Sequence, residues 1–199
     1  MNLNNFIGSL AGKSTLMRYN KPETARYLTP WQGQNRLVFA RAFFWNPGTH
    51  IQKSLAGLLR SILYQLLSQC NEMIRFSVPT RWRAARLVTE FGLDVGNSRE
   101  AWSEVEMLAA IRNFVRESRG SFKIFLLIDG LDEFDGNDAQ RLEVIDLLRE
   151  VASSGTSKVC VSSRPWLIFQ DEFESCPQLK LENLTRLDIQ SYYGVAAEM

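Results

Sequence analysis

The chain has 199 residues, 45% of them hydrophobic and 23% charged, with a net charge of +1. That is enough chain for one compact core with an ordinary soluble composition, and so balanced a charge makes no electrostatic case for nucleic-acid or membrane partners. No stretch reaches transmembrane length and the amino terminus lacks a basic-then-apolar signal pattern, so the expectation is a cytoplasmic protein.

A first strand is expected within residues 1–7, stunted because Asn2, Asn4 and Asn5 are poor strand formers. Its shortness suggests a late start, from a truncated gene model or a fragment. Residues 14–20 open a helix that Pro22 interrupts or restarts. Residues 37–45, LVFARAFFW, read as a second strand ended by Asn46-Pro47-Gly48. His50, the single histidine, falls in that turn and reads as solvated, which excludes any mechanism needing two.

Leu55, Leu58, Leu59, Ile62, Leu63, Leu66 and Leu67 keep helical spacing over more than three turns and form a core stripe. Residues 73–97 show no steady periodicity and carry Arg81, Arg83 and Arg86 around Trp82. That basic-aromatic patch reads as a solvated excursion before it reads as a partner surface. A helix is expected over 99–119 with Trp102, Val105, Leu108, Ala109 and Val115 facing inward. Asp138 caps another through residue 152, residues 158–163 form a strand, and residues 179–184 a last short one before a terminal helix at 185. Cys70, Cys160 and Cys176 show no metal or redox spacing and read as reduced core thiols. This alternation predicts an α/β fold, a doubly wound, mostly parallel sheet with helices on both faces.

The chemistry gathers at two places. FKIFLLIDGLDEFD, residues 122–135, is an apolar strand that delivers Asp129, Asp132 and Glu133 where it leaves the core. Carboxylates there suggest a bound cation or a proton-transfer task, because unpaired charge is costly to bury and ligands sit at that sheet edge. Far upstream, Gly8, Ser9, Leu10, Ala11, Gly12, Lys13, Ser14 and Thr15 resemble the phosphate-binding loop of nucleoside triphosphatases. Small residues let backbone N–H groups face phosphate, Lys13 would reach the β- and γ-phosphates, and the Ser14 hydroxyl would ligate Mg²⁺. Ile7 stands where the usual loop has its first glycine, so a loop from Gly8 is one residue shorter.

Together Gly12-Lys13-Ser14-Thr15, IDGLDEF, and the strand ending Ser162-Ser163-Arg164-Pro165 resemble the NACHT branch of the STAND signalling triphosphatases. The fungal proteins related to heterokaryon-incompatibility factors, with a nephrocystin-like amino-terminal NTPase module, are similar also over residues 43–70, 158–166 and 181–193. The resemblance implies one NACHT-type domain over residues 1–199, cut short before the helical, winged-helix and repeat modules of such proteins. It implies ATP or GTP with Mg²⁺ as ligands, Asp129 holding the metal through water, and Glu133 orienting the attacking water with Asp132 in support. Arg164 matches the sensor arginine near the γ-phosphate, stabilising charge on the transferred phosphoryl group. Protein partners or self-association through this and the missing domains follow from the same resemblance.

Each role has a plainer counterpart: Asp129 capping the turn at Gly130, Glu133 solvated, Arg164 paired with a surface carboxylate. Two other functions stay open beside a slow NTPase switch in self/non-self recognition or cell death. One is a degenerate interaction module that hydrolyses nothing. The other is a small-molecule kinase drafting Arg81, Arg83 and Arg86 as a lid.

Overall fold

The computed structural model describes residues 5–8, 21–44, 48–92, 100–118 and 120–180. In chain order the elements are β1 (Asn5–Gly8), α1 (Lys21–Gln32), β2 (Arg36–Phe43), α2 (Leu55–Gln69), α3 (Ile74–Ser77), α4 (Pro79–Phe91) and α5 (Glu104–Glu117). They continue with β3 (Phe122–Asp129), α6 (Asp138–Ser153), β4 (Ser157–Ser163), α7 (Leu167–Phe173) and β5 (Gln178–Lys180). The five strands form one parallel sheet in the order β2-β3-β4-β1-β5. The expected α/β architecture is the observed one.

The apolar run of β3 is buried on both sides because helices cover both faces of the sheet. On one face Val38, Ala40, Ala42, Ile124, Leu126, Ile128, Val159 and Val161 meet the buried stripes of α2, α5, α6 and α7. On the other, Phe125, Leu127, Phe39 and Cys160 meet Leu28 and Trp31 of α1. Burying each of the valine, leucine, isoleucine and phenylalanine side chains among them contributes about 1.5–3 kcal/mol.

Several expectations need correction. β1 is short, as expected, but it is an inner strand: it runs from Asn5 to Gly8 between β4 and β5. Ile7 therefore belongs to the strand, paired beside Ser162. The segment after Met73 is helical, although Ala84 is the one buried residue of α4. Helix α5 turns inward on Met107, Leu108, Ala110, Ile111, Phe114 and Val115, whereas Val105 and Ala109 are exposed. Its start at Glu104, fixed by a Ser103–Glu106 capping box, sets that rotation. Asn137, not Asp138, caps α6 by accepting from the Gln140 N–H. Helix α7 has no counterpart in the sequence reading. The terminal helix, and most of the last strand, fall outside the described residues.

Among the described residues β2 is an edge strand, and α2 finishes its hydrogen bonding. Gln69 accepts the Phe39 N–H (3.2 Å) and donates to the Phe39 carbonyl (2.8 Å). One turn earlier Gln65 accepts the Arg41 N–H (3.1 Å) and donates to the Arg41 carbonyl (2.7 Å). A primary amide offers the donor and acceptor of a peptide unit, so each glutamine stands in for a neighbouring strand. Gly57 lets the start of α2 lie against the short 3₁₀ helix His50–Lys53, since a Cβ there would sit 1.8 Å from the Ile51 carbonyl oxygen. Replacing both Gln65 and Gln69 by Ala should lower stability by about 2–4 kcal/mol, from four polar groups left half-satisfied. Urea unfolding of the double variant checks this.

Candidate functional site

Asp129 ends β3 and is 2% exposed. A carboxylate so deep needs donors. The Ser162 hydroxyl, from the neighbouring strand β4, donates to Asp129 Oδ1, and the Gly130 N–H donates to Ser162 Oγ at 3.2 Å. Asp129 Oδ2 has no hydrogen-bond partner among the described residues. Gly130 then turns the chain sharply with φ 75°, in a place where a Cβ would meet the Phe44 carbonyl oxygen at 3.0 Å.

The turn feeds the 3₁₀ helix Leu131–Glu133, and its acids go different ways. Asp132 is buried and returns to the end of β4: Oδ1 accepts the Arg164 N–H at 2.9 Å, and Oδ2 pairs with Arg164 Nε at 3.2 Å. Half of the Arg164 side chain remains exposed, so one end of the pair is dry and the other wet. The carboxylate that holds Arg164 is thus a buried one, not one on the surface. Glu133 is half-buried, and its carboxyl carbon lies 3.7 Å from where a Cβ on Gly130 would stand. It folds back over the turn that follows Asp129.

The phosphate-loop candidates are placed only at their first residue. Gly8 closes β1 and pairs beside Ser163, the residue before Arg164. Ser9, Leu10, Ala11, Gly12, Lys13, Ser14 and Thr15 lie outside the described residues. Register puts Ile128–Val161 and Ile7–Ser162 on adjacent rows, so the loop's origin is two strand spacings, about 10 Å, from the end of β3. Gly8, Asp129, Asp132, Glu133 and Arg164 therefore share one carboxyl edge.

Ser162 was missed in the sequence, though two serines closing a buried strand were the available signal: in an apolar layer a hydroxyl needs a polar neighbour. Arg81 and Arg86 belong elsewhere. Arg81 forks onto Glu106 (3.2 and 2.9 Å) and stacks 4.4 Å over Trp102, and Arg86 pairs with Glu90 one turn away. Burial, and then the Asp129 charge, push the Cys160 thiol up to about 12. That thiol lies on the same sheet face as Asp129. No cluster of three or more metal-ligating side chains occurs among the described residues.

The sequence matches the family described as Nephrocystin 3, N-terminal over residues 8–164. Among solved structures, the chain is similar to one of the Drosophila ORC bound to AT-rich DNA and Cdc6, with 14% identity and a TM-score of 0.44, covering 90% of this chain and 48% of that one. It is also similar to one of the Drosophila ORC bound to DNA, with 14% identity and a TM-score of 0.40, covering 99% of this chain and 43% of that one. The chain thus spans about half the length of each. No curated protein matches it significantly.

Two outcomes follow from this geometry. Ser162→Ala should cost about 1–3 kcal/mol by stripping a buried carboxylate of its donor, read by urea unfolding. Raised from 9.0 to about 12, the Cys160 thiol stays protonated at pH 8 and should resist iodoacetamide until the chain unfolds. The same shift favours the folded state below pH 9, and that contribution should fade as pH climbs from 9 toward 12.

Proposed function

Since the chain belongs to the nephrocystin 3 N-terminal family, we propose that it is a NACHT-type nucleotide-binding module that takes ATP or GTP with Mg²⁺ and hydrolyses it slowly. The observation that carries this reading is the row at the sheet's carboxyl edge. The strand that ends at Gly8 lies beside the strand that holds Asp129 through Ser162 and Arg164 through Asp132.

Asp129 fits a magnesium site of the usual kind, in which one carboxylate joins phosphate and water oxygens around the ion. One of its oxygens is fixed by Ser162, and the other has no hydrogen-bond partner among the described residues. With Ser14 supplying the hydroxyl ligand, bound magnesium would neutralise charge on the phosphate oxygens. Lys13 binds the terminal phosphates. Asp132 is the positioning residue for Arg164: it fixes that residue's backbone and guanidinium together and leaves the exposed end of the side chain toward solvent. Glu133, bent back over the Gly130 turn, orients water for attack.

The proposed role is a conformational switch in a cytoplasmic signalling protein of the STAND class, with fungal self/non-self recognition or programmed cell death as its setting. Self-association and protein partners belong to the same proposal. A second reading, binding to partners without nucleotide, draws on the shortened loop that starts at Gly8.

ATP and Mg²⁺ at a hundredfold over Kd should raise stability by about 2.7 kcal/mol, and Lys13→Ala should lose that gain while staying folded. Absence of any gain in the wild type favours the second reading. Glu133→Gln should bind as before and turn over about 10²–10⁴ times more slowly, measured as released phosphate.

A further inference from the structure

A cleft of about 580 Å³ opens beside the end of β2, the outermost strand on its side of the sheet among the described residues. Its lining includes Arg41, Phe43, Ile51, Leu58, Arg60 and Ser61. β3 and β4 lie between β2 and β1, so the cleft stands about 14 Å across the sheet from the end of β1. It plays no part in the nucleotide reading.

The periodicities of α2 and β2 explain why the edge is left open there. Four helical residues rise about 6.0 Å and two strand residues about 6.6 Å, so a helix running against the strand keeps step with it. Gln69 meets Phe39, Gln65 meets Arg41, and position 61 comes opposite Phe43. That position holds serine, whose short hydroxyl donates to the Arg41 carbonyl at 3.4 Å and accepts from Gln65 Nε2 at 3.0 Å, and does not reach Phe43. The Phe44 N–H bonds to β3, and strand alternation therefore turns the N–H and C=O of Phe43 outward, where no side chain among the described residues caps them.

Charge singles out the occupant. From residue 24 to residue 71 the chain has no aspartate or glutamate, while Arg26, Arg36, Arg41, Lys53 and Arg60 fall in that span. Arg36 pairs with Glu72, whereas Arg41 and Arg60 make no ion pair among the described residues. We propose that this cleft docks an extended acidic segment of a partner protein. Its backbone pairs with Phe43, its carboxylates meet Arg41 and Arg60, and an apolar side chain rests on the exposed Ile51. A nucleic acid would answer the charge but offers no strand-like donor and acceptor to Phe43.

The test is fluorescence anisotropy on the full chain with three labelled probes: a Glu-Val-Glu-Val-Glu-Val peptide, its Lys-Val counterpart, and oligothymidylate of eight nucleotides. Ser61→Gln extends the glutamine series by one turn and caps Phe43 without changing charge. Arg60→Glu reverses an exposed charge. Both are first checked for an unchanged thermal midpoint. Saturable binding of the acidic peptide alone, weakened about tenfold or more by either substitution, is the expected result. Three results overturn the proposal. One is no binding by the wild type. Another is oligothymidylate binding that Arg60→Glu weakens and Ser61→Gln leaves intact, which makes the surface a nucleic-acid site. The last is self-association, seen by sedimentation velocity, that Ser61→Gln abolishes, which makes the occupant a second copy.

Discussion

Two neighbouring carboxylates, both buried, set the terms for this edge of the sheet. Asp129 and Asp132 lose their hydration on folding, at a cost of several kcal/mol for an isolated ion, and only close donors offset it. Both sets of donors come from the end of β4: Ser162 for one, Arg164 for the other. The pairing of β3 with β4 is thereby held in one register, because a shift of one residue would turn Ser162 to the opposite face. β1 pairs with β4 in turn, so the position of Gly8 beside Ser163 follows from the same constraint. The placement of Gly8 at this edge is a by-product of solving a desolvation problem.

The two faces of the sheet answer different needs. Toward α2, α5, α6 and α7 it is continuous hydrocarbon, which fixes the strands as a rigid platform. The face toward α1 mixes apolar and charged residues. Lys123 and Lys158 reach Trp31 at 5.3 and 5.0 Å, and the Arg41 guanidinium lies 5.6 Å from the Phe43 ring. Long cationic side chains lay their stems along the sheet there and keep their charged ends near aromatic faces. Asp129 and Ser162 point to this second face by strand alternation, so the site opens on the side where polar groups are tolerated.

Much of this was legible in the sequence because periodicity reports burial directly. The leucine stripe of α2 and the apolar run of β3 each identified their element, with ends displaced by a residue or two. The acids of β3 were legible as a candidate site because charge beside such a run demands a reason. Relations between distant residues were not legible. Nothing local in Ser162 says that a carboxylate lies one strand away, and nothing in Asp132 says that it will hold Arg164 rather than solvent. The register of α5 was lost for a similar reason: Val105 and Ala109 are apolar, but the cap at Ser103 rotates them outward. In α4, short of buried side chains, helical structure rests on backbone propensity and on a single arginine anchored to α5, which leaves no apolar stripe to detect.

The glutamines of α2 bear on how changes along this chain are to be weighed. Each must donate and accept at once, across one fixed reach. Glutamate lacks the donor, asparagine lacks the length, and leucine lacks both. Such positions are demanding in chemistry and length although they hold no reacting group: their work is to keep an edge strand from acquiring the wrong neighbour.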